Sequence, residues 1–137
     1  MESPKSDNLR LELTEVTKQL DVKWSDLSGS NFKQLCMDGS VLQDVSAKNV
    51  KITNANLSDL EIEGAQLGGA FIHNIGMPPQ GHPAYDPAAK QRPMRFENCD
   101  LNGTTFTDCN LGGVEINNCN ISGLRINGIL IEELLKR

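Results

Sequence analysis

The sequence predicts an all-β solenoid, a chain wound into short coils that stack on one another, and three observations carry that prediction. A large apolar residue returns at every fifth position, from Leu27 through Phe32, Met37, Leu42, Ala47, Ile52, Leu57, Ile62 and Leu67 to Ile72. The series resumes at Phe96 and runs through Leu101, Phe106, Leu111, Ile116, Ile121 and Ile126 to Ile131. Two positions before these centres stand mostly small or β-branched residues, such as Ala55, Ala65, Cys99, Thr104, Cys109, Val114 and Cys119. Two positions after them come Gly29, Gly39, Asp44, Asn49, Asn54, Asp59, Gly64, Gly69 and Asn74, then Asn98, Gly103, Asp108, Gly113, Asn118, Gly123 and Gly128. Only Gln34 and Glu133 depart from Gly, Asn or Asp in that place.

A period of five fits neither a helix nor a flat strand. In extended chain, residues two apart share a side, so each centre and the residue two before it form one inward face. Gly, Asn and Asp tolerate left-handed backbone angles and make tight turns, so each unit is a short extended piece followed by a corner. Four such corners close a roughly square coil, and coils of this kind stack at about 4.8 Å. Where the centre shrinks to Ala47, Val45 and Val50 restore the lost volume at neighbouring inward sites.

Ala55-Asn56-Leu57-Ser58-Asp59 and Cys99-Asp100-Leu101-Asn102-Gly103 are the best copies of the unit, followed by Cys109-Asn110-Leu111-Gly112-Gly113 and Cys119-Asn120-Ile121-Ser122-Gly123. With these residues the chain resembles the pentapeptide-repeat proteins, whose unit is A-(D/N)-L-x-x. The resemblance spans about three quarters of the chain. It implies a right-handed quadrilateral β-helix, and it implies no single function, since the family is functionally mixed.

The chain divides into an N-terminal cap at 1–24, coils at 25–76, a Pro-rich inserted loop at 77–95, coils at 96–131 and a C-terminal cap at 132–137. In the first segment Leu9, Leu13, Val16 and Leu20 fall on one helical face, with Pro4 at its start, while Leu9, Leu11 and Leu13 also alternate as in a strand. Either form covers the open end of the stack, with Trp24 as a plug. At about 4.8 Å per coil the two coil segments build a stack about 22 Å tall.

The interruption holds five of the six prolines, the only Tyr and His82. Prolines keep it out of a hydrogen-bonded ladder, so it leaves the coil as a loop. His73, His82, Tyr85, Asp86, Lys90, Arg92 and Arg95 are its candidate partner-contact residues. Two readings compete: a recognition loop, or a tolerated insertion whose basic residues pair with coil acids such as Asp100 or Glu97. At the other end, Leu130, Leu134 and Leu135 are more apolar side chains than one interior accepts. They form either a cap or, as in the quinolone-resistance relatives that the resemblance brings in, the surface of a two-fold dimer.

Cys99, Cys109 and Cys119 occupy the position two before a centre, so their spacing of ten follows from the coil and reads as small buried hydrophobes. A disulfide between Cys99 and Cys119, one coil apart, is disfavoured in a reducing compartment. Cys36 precedes a centre and points outward. No metal or other cofactor is expected, because His73, His82 and Asp86 lack a third convergent ligand and no closely spaced ligand set occurs.

The net charge is -5, with -1 over 1–24, -3 over 25–76, +2 over 77–95 and -3 over 96–137. No basic stripe runs along the coils, which argues against direct nucleic-acid binding. The N-terminus lacks a signal-peptide pattern and no stretch approaches membrane-spanning length, so a cytoplasmic protein without membrane association is expected. No catalytic constellation stands outside the repeat pattern. The reading is therefore a non-enzymatic scaffold for an unidentified protein partner. The alternative, mimicry of DNA toward an enzyme such as gyrase, meets a charge shortfall. Duplex DNA carries about thirteen charges over about 22 Å, whereas the two coil segments together carry -6.

Overall fold

The structure is a computed structural model that describes residues 10–136. The chain forms two compact units, Met1–Glu63 and Gly64–Arg137. Both are built from the same corner. Every Gly, Asn, Asp or Gln that stands two after a centre between Leu27 and Ile121 has a positive φ, from Gly29 and Gln34 in the first unit to Asn118 and Gly123 in the second.

The corners are of two kinds, and they alternate along the chain. At one kind the carbonyl of the centre accepts the amide three residues on. Examples are Ser30 N to Leu27 O at 3.1 Å, Ala70 N to Leu67 O at 2.9 Å, Thr104 N to Leu101 O at 3.0 Å and Val114 N to Leu111 O at 3.1 Å. A hydrogen-bonded turn with positive φ at its third residue is type II, whose angle near +80° favours Gly. Gly103 and Gly113 hold φ of 76° there, and a Cβ built on either would meet nothing within 4 Å, so what calls for Gly is backbone angle and not space. The other kind is an open bend. Gln34, Asp44, Asn54, Asn74, Asn98, Asp108 and Asn118 sit there at φ of 52° to 55°, the left-handed helical value that Asn and Asp tolerate.

The hydrogen-bonded corners explain the Asp or Asn of the repeat unit. Asp26, Asn56, Asp100, Asn110 and Asn120 each precede a centre, and each Oδ1 accepts the amide two residues on, at 2.9 to 3.1 Å. The side chain thereby occupies an amide that the turn itself leaves unpaired. Cys99, Cys109 and Cys119 also repeat one geometry, with each Sγ 3.2 or 3.3 Å from the carbonyl two residues back, to which its S–H donates.

The expected filled interior differs from what is observed. The structure keeps successive coils apart, and among the described residues none is buried. Most centres remain in solvent, Leu57 at 48 % and Phe106 at 61 % exposure, with Ile121 half-buried, and the three cysteines read as buried are exposed too. In the first unit residues 32–34 and 53–54, one 20-residue coil apart, face each other across an open cleft of about 610 Å³. The physical reason lies in range. A corner closes within four residues, whereas a ladder between coils must first close a loop of about twenty, at an entropic cost that local bonds do not share.

Residues 10–24 form no helix. Glu15 and Trp24 are further corners, with φ of 54° and 55°, so the coil pattern starts earlier than the apolar period shows. Trp24 is fully exposed on its corner and plugs nothing. The helical start at Pro4 and the residue Leu9 lie outside the described residues.

At the other end the coil stops at Gly123. Strand β1, Arg125–Ile126, pairs antiparallel with β2, Ile129–Leu130, and helix α1 follows at Ile131–Leu135. Asn127 and Gly128, with φ of 50° and 80°, are the two central residues of the hairpin turn. Two positive angles in succession make it the mirror-image turn that suits strand twist. Ile126 and Ile131, read from the period as centres, thus belong to a strand and a helix.

Candidate interaction site

The loop at 77–95 is a run of turns. His82 N donates to Pro79 O at 3.0 Å, Tyr85 N to His82 O at 2.9 Å and Ala89 N to Asp86 O at 3.1 Å. Prolines supply the fixed φ that such turns use, and their missing amides cost these turns no bond. Side chains cap the loop as they cap the repeats: His82 Nδ1 accepts Ala84 N at 3.0 Å, and Asp86 Oδ1 accepts Ala88 N at 2.9 Å.

The candidate residues separate accordingly. His82 and Asp86 are spent on holding the loop's own backbone. Tyr85, between them, is 42 % exposed, and Lys90 and Arg92 are exposed further on. Arg95 lies 3.7 Å from Glu97, an exposed ion pair of the weak surface kind. His73 stands apart from the loop. It stacks on Phe71 with ring centroids 4.0 Å apart and planes inclined by 11°, and its Nδ1 is 3.2 Å from Asn74 Nδ2 at the adjoining corner. Among the described residues no group of three or more His, Cys, Asp or Glu is placed to hold a metal ion.

The C-terminal leucines divide in the same way. Leu130 pairs with Arg125 and is half-buried, while Leu134 and Leu135 on α1 are 42 % and 67 % exposed. Two bonds tie this end back to the last corner: Ile131 N donates to Leu124 O at 3.0 Å and Gly123 N to Glu132 Oε1 at 3.2 Å. Arg125 Nη1 donates to Gly128 O at 3.1 Å across the hairpin.

Electrostatics single out one capping residue. The Ser28 hydroxyl and then the Ser28 amide donate to Asp26 and hold its carboxyl below the ordinary value of 3.8. No helix among the described residues is long and apolar enough to cross a membrane.

Residues 95–128 match the family model for pentapeptide repeats, in 8 copies. That segment is a run of pentapeptide repeats. The match starts where the loop ends and stops at the hairpin turn, so it spans the Asx-capped corners at Leu101, Leu111 and Ile121. Proteins of the pentapeptide-repeat family are generally structural or protein-interaction scaffolds and generally not enzymes. Comparisons with curated proteins and with solved structures found no match.

Two features of the site escaped the apolar period. The signal for the hairpin was present as Asn127-Gly128 between apolar residues, the strongest short hairpin signature. The capping role of His82 had no such signal, because a histidine two before an alanine has no pattern of its own.

Proposed function

We propose that the chain is a non-enzymatic scaffold of the cytoplasm whose pentapeptide coils close into a right-handed quadrilateral β-helix and carry the 77–95 loop to a protein partner. The observation that carries this reading is the loop's internal bonding. Its turns are satisfied by Pro79, His82 and Asp86 within the loop, and Tyr85 and Lys90 beside them are exposed. Ordered exposed aromatic and basic side chains on a regular scaffold suit recognition. The loop carries +2 beside coil segments of -3 each, so it is also where an acidic partner would be drawn. Four free thiols fit a reducing compartment. The bonds of Ile131 and Glu132 to the last corner favour the C-terminal end as a cap over a dimer surface.

The experiment compares wild type with a variant in which 77–93 is replaced by one short corner, both shown to be folded by circular dichroism, as baits for partner capture. A partner held by the wild type and lost by the variant supports the reading. Equal capture by both moves the contact to the coils and overturns it.

A further inference from the structure

Seven caps among the described residues share one geometry, in which a side-chain acceptor at one residue takes the amide two residues on. Six of them use a carboxylate or carboxamide oxygen, at Asp26, Asn56, Asp86, Asp100, Asn110 and Asn120. The seventh uses the ring nitrogen of His82. A carboxamide oxygen accepts at every pH and a carboxylate oxygen accepts down to strongly acidic pH. Imidazole takes up a second proton slightly below neutrality, and both its nitrogens then become donors.

We infer that His82 is a pH-sensitive latch on the loop, holding the turn before Tyr85 when its ring is neutral and releasing it when the ring is protonated. The ring accepts at Nδ1, so its neutral form carries the proton on Nε2. Protonation sets an Nδ1–H against the Ala84 N–H, donor against donor, and a backbone amide cannot turn over to offer an acceptor. His73 provides the contrast. Its partner is the Asn74 side-chain amide at 3.2 Å, which can rotate to present its oxygen when the ring is charged. His82 also sits at the join of two turns, since its own amide bonds Pro79 O and its carbonyl accepts Tyr85 N. Losing the cap therefore loosens the turn that positions Tyr85.

Among the described residues the Ala84 amide is the polar partner found for the ring. The nearest charged side chains along the loop are Asp86, held by Ala88 N, then Lys90 and Arg92. The direction follows from the donor count: the cap needs an unprotonated Nδ1, so the neutral ring makes it and the protonated ring breaks it. The inference concerns the loop's own order and stands whether or not the loop meets a partner.

The test is nuclear magnetic resonance of the intact chain, following hydrogen-exchange protection of the Ala84 and Tyr85 amides after correction for the intrinsic pH dependence. One cap is worth about a fivefold change in protection. Between about pH 7.5 and about pH 5.5, wild-type protection is expected to fall by that factor, while the Asn102 and Ser122 amides, capped by Asp100 and Asn120, stay level. His82→Asn keeps an acceptor in place and is expected to show no fall. His82→Ala is expected to be low at both pH values. A wild type that stays level, a fall of the same size in H82N, or full protection in H82A would each overturn the latch.

Discussion

The repeats at 96–124 and the loop at 77–95 use the same local device, a turn capped by the side chain two residues before the capped amide, yet one segment is a run of pentapeptide repeats and the other is not. The difference is what lies between turns. In the repeats, two corners and their extended pieces span ten residues, so Leu101, Leu111 and Ile121 recur at equivalent places with Cys99, Cys109 and Cys119 before them. In the loop, turns follow one another directly at Pro79, His82 and Asp86, and proline takes the places where extended chain would need amides. Turn chemistry alone is therefore not what makes a solenoid. A solenoid also needs regular spacing of apolar residues between turns, because only that brings one face back to the same place on each coil.

Three measurements break or sharpen this comparison. The largest effect belongs to the inward face. If coils close on one another, Phe106→Ala removes a packed ring and lowers the free energy of unfolding by about 3 kcal/mol. With the ring as exposed as it stands in the open coil, the loss stays within about 0.5 kcal/mol. Urea denaturation of the two chains separates these: the larger loss is the outcome expected of the proposed closed β-helix, and the smaller that of coils as far apart as the structure has them.

A smaller effect separates the two kinds of corner. Gly113→Val places a β-branched residue at φ of 76° and should cost about 1 to 3 kcal/mol through backbone angle alone, because the added Cβ meets no atom. Asn118→Gly, at a bend with φ of 55°, should change stability by less than about 1 kcal/mol. Equal costs at both sites would show that the alternation of corners has no energetic content.

The smallest effect concerns a single cap. Asp26 is held below 3.8 by its bonds from Ser28, so its contribution to the Leu27 corner is present above that value and lost as pH falls below it. In an acid titration the Ser28 amide resonance should shift in the wild type and stay unchanged in Asp26→Asn, which keeps the acceptor oxygen without the titrating group. An unchanged wild-type resonance would detach the cap from the carboxylate.

Much of the local structure was legible in the chain because a corner depends on a few adjacent residues. The Gly, Asn and Asp positions from Gly29 to Gly123 do hold left-handed angles, and Gln34, which the residue types leave out, holds one as well. Their division into two kinds was written there too, as Gly at 103, 113 and 123 against Asn or Asp at 98, 108 and 118. The ends depart from the period. Apolar residues at Ile126 and Ile131 fit the period by spacing, yet Asn127-Gly128 turns the chain back on itself and the coil gives way to a hairpin. At the other end Glu15 and Trp24 adopt corner angles that neither residue type signals. In the site, His82 is a candidate partner contact by sequence, and its exposed ring also accepts the Ala84 amide of the loop's own backbone.

The sequence alone determined where the repeats turn and where they are interrupted, because each is a contest among neighbours decided within about five residues. The tertiary structure decided the distance between coils and the bonds from Ile131 and Glu132 back to the last corner. Those depend on groups that meet only after the chain has come around, where loop-closure entropy and packing, not local preference, set the outcome.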